Sequence, residues 1–348
     1  MLESPLPKCP DHPVIKRFLL IAAATIGLCS CEPSEIWVIR IGSHVPEQSI
    51  GIRIVLKPWL EAVERQLPPN IRFQTYWGGS LGRDAFIQYD LVRHGVLDIG
   101  WVIPSYTPGQ FPQMDLMELP FLANNATEAS VIGWRLEEAG LIQGTEHIKV
   151  LGIWTTDIAS LQTREVISDF NEVENFKIRS AGAVQASFLE AIGANPETMS
   201  APEMNEALQR GAIDGVLQAW SGIRTYRSDR LMRSSLEGPF GALPFMLLMN
   251  RASFERLPAP VQEIFMAQGG EHLARLAGEA YDRMAIDIIK DIEAEGHYTI
   301  VEQPPELTAK YRQQYAHLHR DWINNTHNGA EAYALALKVL EELRGTAE

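Results

Sequence analysis

Over most of its length the sequence lacks cysteine. The only cysteines among its 348 residues are Cys9, Cys29 and Cys31, all close to the N-terminus. The remaining chain can therefore form no disulfide, cysteine nucleophile or thiolate metal site. Positive charge is also scarce, with 30 Lys and Arg against 44 Asp and Glu and a formal net charge of −14. This balance argues against nucleic acid as a partner, because nucleic-acid binding depends on clustered Lys and Arg.

Long hydrophobic runs are absent too, and the one short run near the N-terminus predicts export. A basic pair at 16–17 precedes an apolar run at 18–28 that is too short to span a bilayer. This order predicts a signal peptide over residues 1–30. The segment LCSC resembles the lipobox of bacterial lipoproteins, which implies cleavage before Cys31 and a lipid on its sulfur as the only membrane attachment. Cys29 is unusual at its lipobox position, so an ordinary secretory signal is the alternative.

The pattern of apolar residues from Glu35 onward predicts an α/β protein. Runs such as IWVIRIG, IRFQTYW, IKVLGIW and PFMLLMN have the length of buried strands, and helical spacings separate them. With 348 residues, 46% hydrophobic and 21% charged, the chain is long and apolar enough for two folded lobes. A cleft between two lobes is a common place for a small ligand.

One predicted helix is much longer than the others. Helical spacing continues from Pro258, which suits the start of a helix, to Gly296, which suits its end. At 1.5 Å per residue this helix would measure roughly 50 Å, longer than a small domain is wide. We therefore expect it to span both lobes, with Gly269 and Gly270 as the positions where it is most easily interrupted.

Motifs for catalysis and cofactor binding are few. The turn GGSLG at 78–82 fits the G-x-S-x-G pattern of hydrolases, with Ser80 as the nucleophile. Only one predicted strand and one helix precede this strand–turn, whereas that hydrolase fold places its motif after several strands. A glycine-rich turn is therefore the alternative. No metal site, nucleotide site or other cofactor is predicted, because metal-ligand spacings, G-x-G-x-x-G and the P-loop are missing.

The most specific pattern is FKIRSAGAVQASFLEAIGANPETMSAPEMNEALQRGAIDG, residues 176–215. It resembles the signature of the DctP family, the substrate-binding proteins of TRAP transporters, in which a strand ends in K-x-R and E-x-x-x-A-L-Q-x-G-x-x-D-G follows. The segments GGSLG, GVLDIG and ELPF match other family features, so the resemblance covers about residues 35–340. It implies an α/β, two-lobe periplasmic binding protein, type II-like, with a long helix spanning both lobes and a cleft between them.

The predicted fold divides the chain into two discontinuous lobes. Residues 35–155 and about 244–285 are assigned to lobe I. Residues 156–243 and about 286–345 are assigned to lobe II. The chain is therefore expected to cross between the lobes more than once.

Arg179 stands at the end of a predicted strand, just before a helix. At this motif position the resemblance implies that the arginine holds the carboxylate of an organic acid. The chemistry agrees, because a guanidinium grips a carboxylate with two parallel hydrogen bonds and is costly to bury without an anion. The alternative is an Arg179 that pairs with an internal Asp or Glu.

The resemblance implies further ligand-binding residues in the cleft. Gln218 falls where the family often has an asparagine, just after the D-G turn, and Trp220 follows in the same loop. Trp101 and Ile103 come directly after the LDIG element, and His44 lies in the loop after the first strand. The aromatic and apolar character of these positions favours a bulky or aromatic acid.

At one position the chain departs from many members of the family. These carry a second arginine upstream of the motif arginine, and the corresponding segment here, TTDIASL, offers Asp157 instead. The absence of a second cation disfavours a dicarboxylate. Asp157 is a candidate acceptor for a ligand hydroxyl, amine or indole N–H. The alternative is a solvated or helix-capping acid at the hinge between the lobes.

The resemblance implies a receptor and not an enzyme. We expect an exported, periplasmic protein that closes around an organic monocarboxylate and delivers it to the small and large membrane subunits of a TRAP transporter. Two alternatives stay open. One is an exported serine hydrolase that uses Ser80, and the other is a receptor that signals to a sensor protein.

Overall fold

A computed structural model of the chain describes residues 36–345. The predicted signal peptide at 1–30 and the predicted lipid attachment at Cys31 lie outside the described residues. The described region contains a five-stranded sheet, a six-stranded sheet and helices on both. In this region no helix combines the length and the apolar character needed to cross a membrane.

The first sheet is mixed. Its strands are β1 (Trp37–Gly42), β2 (Ile71–Tyr76), β3 (Ile99–Val102), β4 (Ile148–Thr155) and β10 (Pro244–Asn250), in the order β2-β1-β3-β10-β4. Strands β1 and β3 pair in parallel, whereas β10 is antiparallel to both β3 and β4. The chain therefore leaves this sheet after β4 and later returns to insert β10 into it.

The second sheet forms from the chain between these two strands and from one later strand. Its strands are β5 (Ala159–Thr163), β6 (Lys177–Ser180), β7 (Asn195–Thr198), β8 (Gly215–Ala219), β9 (Ser234–Leu236) and β11 (Thr299–Val301). Their order is β11-β9-β5-β8-β6-β7. Parallel pairing of β6 with β7 and β8 brings the ends of these three strands to one edge of the sheet.

Helices connect many of the strands along the chain and form most of its C-terminal part. They are α1 (Lys57–Glu64), α2 (Gln88–Arg93), α3 (Ala126–Glu138), α4 (Ala183–Ala191), α5 (Ala201–Gln209), α6 (Trp220–Tyr226), α7 (Arg251–Glu255), α8 (Ala259–Gln268), α9 (Gly270–Glu295), α10 (Pro305–Gln314), α11 (Ala316–Asn325) and α12 (Gly329–Gly345). Short 3-10 segments at Pro104–Tyr106 and Pro112–Glu118 lie between β3 and α3.

The predicted helix from 258 to 296 is interrupted at Gly269 and Gly270, the positions predicted to be its weak point. The chain turns at Gly269 between α8 and α9, and Gly270 has a positive φ of 62°. The helix α9 has 26 residues, which corresponds to roughly 39 Å at 1.5 Å per residue. It packs against α3 and against β4 of the first sheet, and against α6, which follows β8 of the second sheet. The prediction that a long helix contacts both lobes is confirmed over this shorter range.

Each sheet has an apolar core of its own. One core includes Ile153 of β4 and Leu248 of β10 together with residues of α3. The other includes Ile178 of β6, Leu217 of β8 and Phe188 of α4. Two cores under two sheets account for the two-lobe architecture, because each sheet buries its own apolar face.

The C-terminal helix α12 packs on the first core and not on the second. Its residues Ala336 and Leu340 belong to the same apolar cluster as α3. This packing differs from the predicted assignment of 286–345 to lobe II. Helical spacing reveals that a helix has an apolar face, but it does not reveal which sheet covers that face.

Candidate functional site

A cavity with an empty volume of about 640 Å³ lies between the two lobes. Val45 and Gly51, which follow β1, and Phe245 of β10 line it from the first lobe. Leu217 and Gln218 of β8 line it from the second lobe. Small-molecule sites commonly lie in such clefts between lobes, so the position of the cavity suits a small organic ligand.

Arg179 is the only Arg, Lys or His side chain among the described residues that line the cavity. It sits near the end of β6 and is 1% exposed. Its Nε donates to the backbone oxygen of Met199 at 3.0 Å, and its Nη2 donates to the hydroxyl of Tyr106 at 3.1 Å. In the described part of the chain no carboxylate oxygen lies within 4.0 Å of its guanidinium nitrogens. Neutral acceptors thus orient a buried cation without neutralising it.

Glu118 is a buried acid that interacts electrostatically with Arg179. It is 2% exposed, and its Oε1 accepts a hydrogen bond from the Ser105 hydroxyl, while its Oε2 has no hydrogen-bond partner among residues 36–345. Burial and the nearby Asp115 raise the pKa of the Glu118 carboxyl, whereas the Arg179 guanidinium opposes this rise. The net rise favours a protonated Glu118, which leaves the positive charge of Arg179 available.

Aromatic rings form much of the cavity wall. Trp101 of β3 stacks on Trp154, with ring centroids 6.0 Å apart, and meets Phe245 edge-on at 4.9 Å. Tyr226 of α6 and Tyr281 of α9 line the cavity as well. Burial raises the pKa of both tyrosines above its usual range, so their hydroxyls remain protonated. The wall is therefore aromatic and neutral around a single cation.

Four of the residues predicted for ligand binding meet at this cavity. They are Arg179, Gln218, Trp101 and Ile103. The Gln218 side chain has a buried Oε1 without a hydrogen-bond partner in the described region. An unpaired buried amide oxygen is costly unless a ligand or water donates to it. The roles of these four residues in binding stay predictions.

Two other predicted residues are buried beside the cavity and do not line it. Trp220 faces away, since its Nε1 donates to Glu237 at 3.2 Å and its ring packs on Tyr298. His44 lies behind the Tyr106 ring, with centroids 6.1 Å apart, and neither ring nitrogen has a hydrogen-bond partner in the described chain. Burial lowers the pKa of His44 to about 4, so it is neutral at pH 7.

Asp157 lies in the loop between β4 and β5, faces the start of α6 and is 2% exposed. Its two carboxylate oxygens accept from the backbone N–H of Ser221 at 3.3 and 3.4 Å. The first N–H groups of a helix have no partner within the helix, so this contact is a helix cap supplied by another segment. It favours the capping interpretation over direct contact with a ligand. Burial raises the pKa of Asp157 to about 7, although the Ser221 hydrogen bonds oppose the rise.

The raised pKa of Asp157 predicts a pH-dependent stability. The native state holds this proton more tightly than the unfolded state, whose pKa is 3.8, so the contribution of Asp157 is greatest below that value and is lost as the pH rises to about 7. Asp157→Asn keeps an oxygen acceptor and removes the charge. As the pH rises from 5 to 8, we expect the free energy of unfolding of the variant to increase relative to that of wild type by an amount on the order of 1–3 kcal/mol.

Urea denaturation at these pH values measures the difference. Asp287→Asn, at an exposed position on α9, is the matched control and should show no such trend. A constant difference between Asp157→Asn and wild type at all pH values would contradict a raised pKa.

The interpretation of residues 78–82 as a plain turn is supported. The N–H groups of Gly78 and Gly79 donate to Val45 and Ser43 at 2.9 and 3.0 Å, and both glycines have positive φ. Ser80 is exposed at the tip of the turn. The turn therefore supports the loop after β1, which lines the cavity at Val45.

Several cavity residues were not predicted, above all Tyr106, Tyr226 and Tyr281. Tyr106 lies in a proline-rich segment whose path cannot be read from periodicity. Tyr281 lies on the long helix, for which the sequence predicted only that it spans both lobes. In both cases the approach to the cavity is decided by packing between distant segments.

These features define a class of protein, a two-lobe receptor with a cation in an aromatic cleft. The chain matches the DctP family model, bacterial extracellular solute-binding protein family 7, over residues 41–325, and it belongs to that family. The family and fold confirm the predictions of a TRAP-type solute-binding protein and favour this function over the hydrolase alternative. Members of this family and fold are receptors and not enzymes.

Two curated relatives are similar to the chain. A solute-binding protein of Albidiferax ferrireducens is 24% identical over 255 residues, which cover 71% of this chain and 74% of the relative. The C4-dicarboxylate-binding periplasmic protein DctP of Vibrio cholerae is 26% identical over 269 residues, with 72% and 78% covered.

Solved structures share the fold. A TRAP solute-binding protein from Rhodoferax ferrireducens, in complex with copurified benzoate, has a TM-score of 0.84 at 24% identity and covers 89% of this chain and 99% of that chain. A marine metagenome TRAP solute-binding protein specific for aromatic acid ligands, in complex with 3-hydroxybenzoate, has a TM-score of 0.82 at 27% identity, with 89% and 99% covered.

Proposed function

We propose that this receptor binds an aromatic monocarboxylate between its lobes and delivers it to the membrane subunits of a TRAP transporter. The carboxylate pairs with Arg179, and the ring lies among Trp101, Phe245 and Tyr281. The observation that carries the proposal is the buried Arg179, which lines the cavity and has only neutral hydrogen-bond partners in the described structure. A buried cation of this kind is stabilised by an anion that brings its own acceptors.

The same geometry favours a ligand with one carboxylate over a ligand with two. Arg179 is the single cationic side chain on the described cavity wall, so a second carboxylate would be buried without a partner. The solved relative that is 27% identical is specific for aromatic acids, which supports the same ligand class. The lipid anchor at Cys31, the periplasmic location and the division of the chain into two lobes belong to this proposal, with α12 packed on the first lobe.

Isothermal titration calorimetry with four matched compounds tests the ligand class. Benzoate is expected to bind with one molecule per chain. Benzamide keeps the ring and loses the charge, and we expect at least about tenfold weaker binding. Cyclohexanecarboxylate keeps the charge and loses the aromatic ring, and succinate adds a second charge. Both should also bind more weakly than benzoate.

Two of these compounds can each contradict one part of the proposal. Benzamide that binds as tightly as benzoate would remove the carboxylate pairing. Succinate that binds more tightly than benzoate would overturn the choice of a monocarboxylate.

A further inference from the structure

Tyr106 of the first lobe makes two hydrogen bonds to the second lobe through one oxygen atom. It lies in the 3-10 segment Pro104–Tyr106 after β3 and is 2% exposed. Its hydroxyl oxygen accepts from Arg179 Nη2 at 3.1 Å and from the backbone N–H of Ala201 at 2.9 Å. The partners lie 73 and 95 residues away along the chain. These bonds therefore exist only while the two lobes are together.

The Ala201 N–H needs an acceptor from outside its own helix. Ala201 is the first residue of α5, and the first amides of a helix have no intrahelical partner. Pro202 has no N–H, and a capping box between Ser200 and Glu203 satisfies the neighbouring groups. Among the described residues, the Tyr106 hydroxyl is what satisfies the amide that remains.

The bond to Arg179 leaves the arginine ready for a carboxylate. A guanidinium has five N–H donors. The Nε donor goes to Met199, and one Nη2 donor goes to Tyr106. Both Nη1 donors and the second Nη2 donor remain, and a neighbouring pair of N–H groups matches the two oxygens of a carboxylate. Tyr106 thus fixes the orientation of the guanidinium and leaves three of its five donors for a ligand.

The aromatic ring of Tyr106 is itself held firmly in the first lobe. It packs against Phe86, with ring centroids 5.4 Å apart, and against His44 at 6.1 Å. Removing the hydroxyl alone, as in Tyr106→Phe, keeps these ring contacts. The hydroxyl can therefore be tested separately from the packing of the ring.

We propose that Tyr106 is a positioning residue that latches the closed lobes and links closure to the orientation of Arg179. When the lobes separate, Arg179 and the start of α5 lose the same acceptor together. A solute carboxylate bound to Arg179 stabilises the hydrogen bond between Arg179 and Tyr106. A guanidinium held by both the carboxylate and Tyr106 stays in the orientation that this hydrogen bond requires. This inference rests on the proposed function, which supplies the carboxylate.

Stopped-flow fluorescence on the wild-type chain and on Tyr106→Phe, with benzoate as the probe, measures the latch. Trp101 on the cavity wall provides the signal. We expect the dissociation rate to rise at least about fivefold, since a hydrogen bond from a charged donor is lost. The association rate should change much less, because most interface changes act on dissociation. A merely structural defect would instead lower the fraction of protein able to bind.

Hydrogen–deuterium exchange provides a readout that needs no solute. The peptide containing Ala201 should exchange faster in Tyr106→Phe, because its N–H has lost the acceptor. Tyr89→Phe is the matched control, since Tyr89 is also buried in the first lobe and bonds to Gln110 away from the cavity. It should change neither the dissociation rate of benzoate nor the exchange at Ala201.

The outcomes separate the latch from the proposed function. Faster dissociation together with faster exchange at Ala201 supports the latch. Unchanged exchange at Ala201, or unchanged dissociation of benzoate that does bind, overturns it. If wild type fails to bind benzoate and the other acids, the proposed function fails, and the exchange at Ala201 alone still decides whether Tyr106 joins the lobes.

Discussion

Arg179→Ala is expected to weaken the binding of benzoate by at least about 100-fold. Two charge-assisted hydrogen bonds to a carboxylate contribute roughly 1.5 kcal/mol or more each, and about 3 kcal/mol corresponds to a hundredfold change in affinity. The described cavity wall holds no second cation that could replace the guanidinium. Titration calorimetry with benzoate measures the loss directly.

Two further variants locate the cause of this loss. Arg179→Lys keeps a charge but loses the planar pair of donors, so its affinity should lie between wild type and Arg179→Ala. Arg164→Ala is the control, because Arg164 is a half-buried arginine of the second lobe that donates to the backbone oxygen of Leu208 away from the cavity. Undiminished binding of benzoate by Arg179→Ala would remove the arginine from the site.

Gly269→Ala is expected to lower the free energy of unfolding by about 2–3 kcal/mol. A Cβ at this position would lie 2.0 Å from the backbone oxygen of Leu151 and 3.0 Å from that of Phe265. The backbone atoms of strand β4 and helix α8 cannot rotate away as a flexible side chain could. The junction between α8 and α9 would therefore have to shift away from β4.

Urea denaturation measures this change. Gly345→Ala at the end of α12 is the control, since nothing lies within 4 Å of its added Cβ. Its stability should stay within about 0.5 kcal/mol of wild type. If Gly269→Ala matched the control, the close approach of α8 and α9 to β4 would not be what requires glycine.

The same residue shows why the long helix was only partly predictable. Helical spacing on both sides of Gly269 is real, and α8 and α9 are both helices. The interruption depends on how close β4 approaches, and β4 is more than a hundred residues earlier in the chain. Periodicity describes the faces of an element and contains no information about the backbone of a distant strand.

The candidate site was predicted unevenly for a similar reason. Arg179, Gln218, Trp101 and Ile103 belong to strands or strand ends whose order along the chain is shared with a family, and the structure places them at one cavity. Trp220 turns away because a helix begins at that residue and its ring packs on the second lobe. The direction of a side chain at such a junction follows from tertiary packing.

The sequence by itself predicted the family, the α/β class, the two lobes and the arginine at the end of a strand. These features depend on local periodicity and on a motif within a single stretch of chain. Tertiary structure alone decided that α12 covers the first core, that Asp157 caps α6 and that Tyr106 meets Arg179 and Ala201. Each of these contacts joins segments far apart in sequence, and only the packed lobes bring such segments within hydrogen-bond or van der Waals distance.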